Sequence, residues 1–359
     1  MVEQNTRRRI MKTGLTAYNE LKTCPGYVLY TPLNGDTTFL LDQKGNTKHT
    51  WKHNYRGNYG YLLPNGNLFM NGKTKDETWD LLPGWNNFKG GILQELDPQG
   101  NILWELRDPY HHHDGRRTTE GGVIYLSLEK LPEEIAAQVK GGRPESDKDG
   151  MWADKIVEVD KEGNIVWTWR AAEHLDFESD TLPFNFTRYE WSHGNTVVPI
   201  GEDKVMVSFR CISVVGIIDK KSGEFVWKIG PEILAQQHDP SLLDNGNVLV
   251  FDNGLLKSNN SRPYSRVIEI DPKTNEIVWE YSEAPYYNFF SPHISGARRL
   301  PNGNTLVTEG AFGRMFQVTV EGEVVWEYVN PVFIESLGGY TANTVFRANH
   351  YMKHEIPFI

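Results

Sequence analysis

Asp97-Pro-Gln-Gly-Asn-Ile-Leu-Trp104 and Asp160-Lys-Glu-Gly-Asn-Ile-Val-Trp167 share one pattern: an Asp, a Gly-Asn turn and an apolar pair that ends in Trp. The pattern recurs at Asp42-Gln-Lys-Gly-Asn with Trp51, at Asp219 to Trp227, at Asp271 to Trp279 and at Val320 to Trp326, with Trp-to-Trp steps of 53, 63, 60, 52 and 47 residues. Each copy reads as a hairpin, in which one strand runs into the Asp, Gly or Asn makes the turn, and the next strand carries the Trp. A second hairpin lies between successive copies, turning at Pro64-Asn65-Gly66-Asn67, Glu120-Gly121-Gly122, Ile200-Gly201-Glu202-Asp203, Asp244-Asn245-Gly246-Asn247 and Pro301-Asn302-Gly303-Asn304. Two hairpins make a four-stranded antiparallel blade, and a repeat of this length is that of a β-propeller.

The first Trp unit has no preceding hairpin to supply an innermost strand, and the missing strand is at the other end of the chain. Asn343-Thr-Val-Phe-Arg-Ala348 fits inside Gly26–Tyr30, Thr38–Asp42 and Lys48–Trp51, so the termini share a blade and six blades close a ring without open edges. The expected fold is therefore all-β, a six-bladed propeller of four-stranded blades. Residues 1–22 are expected as an N-terminal segment and 23–359 as the propeller, with a short helical insertion near 131–142 that is placed to act as a partial lid. The repeated Trp residues are expected to pack between blades rather than to act.

Composition agrees. In 359 residues the chain has 33 Gly, 11 Trp, 16 Tyr and 16 Phe, a mixture suited to short strands and tight turns. A net charge of −10 argues against nucleic acid or an anionic membrane as partner, because both require a Lys/Arg excess. Cys24 and Cys211 are too few for a disulfide framework or a thiolate metal site. Arg7-Arg8-Arg9 suggests an export signal, but Thr13 to Glu20 is not the apolar stretch such a signal needs, so the expected location is cytoplasmic.

The innermost strands of a propeller line its channel, and the loops entering them open on one face. His113, His193, His238 and His293 stand 9, 8, 8 and 10 residues before the turn glycines Gly122, Gly201, Gly246 and Gly303. Four imidazoles in register form a ring at one mouth; His112 is expected beside them and His111 displaced. The same face is expected to carry loop aromatics, among them Phe88, Trp191, Tyr287 and Phe290, as a pocket for an apolar or aromatic ligand. Arg210 and Lys257 follow second strands and supply cationic candidates, while Asn195 and Asn253 are candidate donors to an oxyanion.

Pro25–Tyr30, Glu190-Trp-Ser-His-Gly-Asn195, Gln236-Gln-His-Asp-Pro240 with Phe251-Asp-Asn-Gly254, Asn288-Phe-Phe-Ser-Pro-His293 with Arg299–Thr305, Glu309–Arg314 and Val345–Ala348 together resemble the arylsulfotransferase family, in its short cytoplasmic-type members. The resemblance implies transfer of a sulfuryl group from one phenolic sulfate to another phenol without a nucleotide donor, through a sulfated histidine. It implies His238 and His293 as the principal catalytic groups, with His193 and His113 behind them. His112, Asn195, Arg210, Asn253, Lys257, Trp191, Tyr287 and Phe290 are the expected substrate contacts, and the expected partner is a small aromatic molecule with no cofactor. An alternative reads His113, His193, His238 and His293 as ligands of a divalent transition metal in an enzyme acting on an aromatic or small apolar substrate. A third reading is a non-catalytic binding propeller.

Overall fold

The computed structural model describes residues 12–256, 262–335, 339 and 341–359. From the channel outward, blade one is Val345–Tyr351, Tyr27–Pro32, Thr37–Asp42 and Thr47–Lys52, and blade two is Arg56–Leu62, Leu68–Lys73, Gly91–Leu96 and Ile102–Arg107. Blade three is His111–Arg117, Val123–Lys130, Trp152–Val159 and Ile165–Arg170, and blade four is Gly194–Ile200, Lys204–Phe209, Val214–Asp219 and Phe225–Ile229. Blade five is His238–Leu242, Val248–Asp252, Arg266–Asp271 and Glu276–Tyr281; blade six is Gly296–Arg299, Thr305–Glu309, Arg314–Val318 and Val324–Val329. The C-terminal strand pairs Ala348 with Tyr30 and Val345 with Pro32, so both ends of the chain complete blade one as the repeat count requires.

A second closure was not legible in the sequence. Gly14–Tyr18 pairs antiparallel with the outer strand of blade six, making it five-stranded, and the Thr16 hydroxyl donates to Glu327. The N-terminal chain thus fastens blade six before it enters blade one. The helical insertion is one turn, Glu133–Ala136, between the second and third strands of blade three.

Middle strands such as Val205-Met206-Val207 and Val248-Leu249-Val250-Phe251 are apolar on both faces because each blade packs between two others. The core is accordingly divided into wedges: Leu29, Leu40, Trp51, Leu68 and Met70 fill one between blades one and two, and Phe251, Val267, Tyr281, Val307 and Phe316 fill one between blades five and six.

The repeat itself has a mechanical cause. The Asp at the head of the turn in blades one to five binds backbone N–H groups, as Asp97 Oδ1 accepts from Gln99 and Asn101 at 2.9 and 2.8 Å, and Thr319 takes that place in blade six. The Trp of the preceding blade then donates its indole N–H to the fixed turn. Trp51 reaches the Asp97 carbonyl at 3.0 Å, Trp167 that of Lys220 at 2.9 Å, Trp279 that of Val320 at 2.9 Å and Trp326 that of Gln43 at 2.8 Å, while Trp227 reaches Asn275 Oδ1 at 2.9 Å. Trp104 lies instead under the Arg117 guanidinium, 4.0 Å from its ring centre.

Trp326→Phe keeps most of the packing but removes the bond that joins blade six to blade one. The expected loss is about 1–3 kcal/mol of stability, read as a lower urea midpoint with unchanged slope.

Candidate active site

The channel strands of blades three, four and five each carry an irregularity. Pairing between first and second strands slips between Tyr125 and Ser127, between Gly194 and Thr196, and between His238 and Ser241. His113 and His193 occupy the left-handed backbone region at φ 51° and 53°, and so do the residues after the other two histidines, Asp239 at 57° and Ile294 at 50°. A non-glycine residue there costs about 1–2 kcal/mol, and such bulges redirect side chains from the sheet face. Here the redirected groups are the imidazoles of His113, His193 and His238, while His293 comes from the loop before the regular channel strand of blade six.

All four histidines line one cavity of about 700 Å³ at the channel mouth, together with Arg210, Phe88, Asn86, Asn87, Leu33, Ile294, Ile334, Ala342 and Thr344. Phe88 stacks on His113 with ring centres 5.1 Å apart and stands edge-on to His193 at 4.6 Å, and the rings of His113 and His193 are 4.8 Å apart. The Trp85–Phe88 turn and the short Ile334–Glu335/Thr341–Ala342 hairpin wall the mouth; the Glu133–Ala136 insertion is not in its lining.

The hydrogen bonds decide which imidazole nitrogen faces the cavity. Asn253 donates both amide hydrogens, to the carbonyls of Ser291 and Ile294 at 2.8 and 2.9 Å, so its Oδ1 can only accept. His238 Nδ1 lies 2.7 Å from that oxygen and must carry the proton, which leaves Nε2 with its lone pair. The same Asn253 therefore orients His238 and holds the loop that carries His293. His193 Nδ1 lies 2.8 Å from Glu190 Oε2, and a carboxylate likewise requires a proton on Nδ1.

Burial holds His238 and His113 well below the ordinary histidine value, reinforced by Arg210 for His238 and by the His193, His112 and His238 imidazoles for His113. The enclosing protein and Arg210 also lower His293, whose side chain is open to solvent at the mouth. Arg210 itself forms no ion pair among the described residues, and its buried Nε has no hydrogen-bond partner there.

Beneath the ring the channel is filled by charge. Arg347 of blade one, fully buried, donates to Asp114 of blade three at 3.0 Å and to the Asn195 carbonyl of blade four at 2.9 Å, and lies 3.2 Å from Asp239 of blade five. Arg298 of blade six grips Asp239 with two bonds of 2.6 Å, and Arg116 lies 3.1 Å from Asp114.

Several expected contacts stand elsewhere. His112 is wholly buried behind His113, and His111 accepts the Gly91 N–H at 3.0 Å away from the cavity. Asn195 donates to the Gln237 carbonyl at 2.8 Å and accepts from Thr196, so both ends of its amide are occupied. Trp191 is buried, giving its N–H to the Asp180 carbonyl at 2.8 Å and stacking on Phe177 at 5.0 Å. Tyr287 is exposed and Phe290 half-buried, both outside the cavity lining. Of the expected loop aromatics only Phe88 forms the wall. Lys257 lies outside the described residues. Sequence reasoning missed Glu190, which stands only three residues before its partner His193, and Asp154, whose partnership with His112 has no local sequence signal. Among the described residues no group of three or more His, Cys, Asp or Glu side chains is placed to hold a metal ion, and no helix is long and apolar enough to cross a membrane.

Residues 80–331 match the sequence model of the arylsulfotransferase (ASST) family, most of the chain and every blade that contributes a cavity histidine. The chain belongs to the arylsulfotransferase family. No curated protein sequence matches it. Among solved structures, a protein of unknown function from Bacteroides caccae is 11% identical over 90% of this chain and 98% of its own, with a TM-score of 0.55, a likeness of fold alone. A streptogramin B lyase is 14% identical over 94% of this chain and 93% of its own, with a TM-score of 0.49.

The depressed histidines set an acid limit on this arylsulfotransferase-family fold. His111, held at about 3 by burial, and His113 and His238 all bind protons more weakly folded than at the ordinary value of 6.5. The unfolded chain then takes up more protons, so stability is full above that ordinary value and falls as pH drops below it, by about 1.4 kcal/mol per pH unit for each such histidine. Urea titrations at a series of pH values should show this decline, and His111→Gln should flatten it.

Proposed function

We propose that the protein moves a sulfuryl group between phenolic compounds by double displacement on a cavity histidine, without a nucleotide donor. The observation that carries this reading is Arg210, a cation with no ion-pair partner among the described residues, set in the same cavity as neutral imidazoles. A sulfate ester brings the anionic oxygens that such a guanidinium lacks.

The donor sulfonate binds Arg210, and its aryl ring packs on Phe88. Nε2 of His238 or a ring nitrogen of His293, the two imidazoles whose titration Arg210 perturbs, attacks sulfur; the S–O bond breaks and its electron pair leaves on the phenolate. Arg210 neutralises charge on the sulfuryl oxygens in the transition state. In the second half-reaction an acceptor phenol loses its proton to a cavity imidazole, its oxygen bonds sulfur, and the S–N bond breaks back to the neutral histidine. Low basicity suits the nucleophile, because it stays unprotonated and becomes a good leaving group. His113 and His193 remain for proton transfer.

A phenyl sulfate donor and a phenol acceptor, varied together, should give parallel double-reciprocal lines, as a covalent intermediate requires. Arg210→Ala should lower kcat/KM by about 10²-fold or more, and Arg210→Lys should fall between the two, retaining charge without the fork. Unchanged rates in Arg210→Ala would contradict the reading. Activity lost to chelation and restored by a divalent transition metal would favour the metal enzyme, and aromatic binding without turnover would favour the binding propeller.

A further inference from the structure

Behind His113, away from the cavity, lies a chain of buried groups that the reaction above does not use. Nδ1 of His113 is 2.8 Å from Nδ1 of His112, whose buried Nε2 stands 3.2 Å from Oδ1 of Asp154, within ion-pair distance but not aligned as a hydrogen bond. Asp154 and His112 are fully buried. The carboxylate is fixed by the Gly194 N–H at 2.8 Å and the Ser192 hydroxyl, and a Cβ on Gly194 would collide with it. Burial works against its charge, but the bonds from His112, Ser192 and Gly194 keep its pKa below the usual carboxylate range.

We propose that Asp154 and His112 are a proton relay that makes His113 the base for the acceptor hydroxyl. The ionised carboxylate can only accept, so His112 carries its proton on Nε2 and presents a bare Nδ1. His113 then donates from Nδ1, and its Nε2 keeps the lone pair that faces the cavity.

This deepens the sulfuryl-transfer reading and rests on it for the proton that is moved. As the acceptor O–H breaks, its proton goes to Nε2 of His113 while the Nδ1 proton crosses to Nδ1 of His112. The new imidazolium is His112, next to Asp154 and away from the other cavity imidazoles. In the same step the acceptor oxygen bonds sulfur, and the S–N bond gives its pair back to the sulfated histidine. The donor leaves as phenolate without this proton, and the relay gives up the proton gained from the acceptor to solvent before the next turnover. His112 and Asp154 never touch substrate and are positioning residues.

The test uses two acceptors, a simple phenol that is un-ionised at the assay pH and a nitrophenol that is mostly ionised, with the whole chain. His112→Leu and Asp154→Asn should slow transfer to the simple phenol by about 10²-fold or more and leave transfer to the ionised nitrophenol nearly unchanged. His112→Asn, whose amide oxygen can accept a hydrogen bond from His113 but cannot take its proton, should be slowed with the simple phenol as His112→Leu is, and full retention would overturn the relay. Equal losses with both acceptors, or no loss with either, would overturn the relay. Histidine-labelled 15N spectra give a readout free of turnover: His113 should show a protonated Nδ1 and a bare Nε2 in the wild type, and the opposite tautomer would overturn the proposal in any variant background. Absence of sulfuryl transfer in the wild type would instead overturn the functional reading, and the spectra would still decide the relay.

Discussion

Arg347 ties together blades that the backbone does not. It comes from the last strand of the chain, crosses the channel fully buried, and meets groups of blades three, four and five directly below the histidine ring. Two carboxylates in a dry channel would be costly alone, and an arginine there would be costly without them. Their mutual satisfaction fixes Asp114 and Asp239, and these residues follow His113 and His238 directly in the chain. The ion pairs under the channel therefore also set the height and rotation of the imidazoles above it.

Burial is the main reason that His113 and His238 bind protons weakly. Arg210 and Arg347 add positive potential near His238, and neighbouring imidazoles act the same way on His113. A cluster of this kind favours incoming anions, keeps lone pairs available and places few protons where they would block attack. Glu190, Asn253 and the Asp154–His112 pair act from outside the ring, each taking a proton from the Nδ1 side. The left-handed φ values at His113 and His193 are the backbone strain that this convergence requires.

Much of this was legible from residues alone, for a physical reason. Asp turns and Trp clasps are local in sequence and repeat once per blade, so the ring and its closure by Val345 and Phe346 could be counted. His113, His193, His238 and His293 stand 8 to 10 residues before their turn glycines, and strand register turned that similar spacing into one shared mouth. The misplacements share the opposite cause. Trp191 and Asn195 sit beside a cavity histidine in sequence, yet their hydrogen-bond partners, Asp180 and Gln237, turn them outward or lock them. Asn253 looked like a ligand for substrate and instead orients His238. Glu190 braces His193 from three residues away and could have been read, whereas Asp154 behind His112 and Arg347 across the channel depend on approaches between distant segments that no single stretch encodes.

The proposed sulfuryl transfer requires that a cavity histidine carry the group between donor and acceptor. The direct measurement is intact and peptide mass analysis after brief exposure to a phenyl sulfate without acceptor, under conditions that preserve the acid-labile N–S bond. One sulfuryl group per chain should appear on His238 or His293, formed with an equivalent of released phenol and discharged when a phenol is added. Phenol release with no modified histidine, or a modification that persists on adding acceptor, would contradict it.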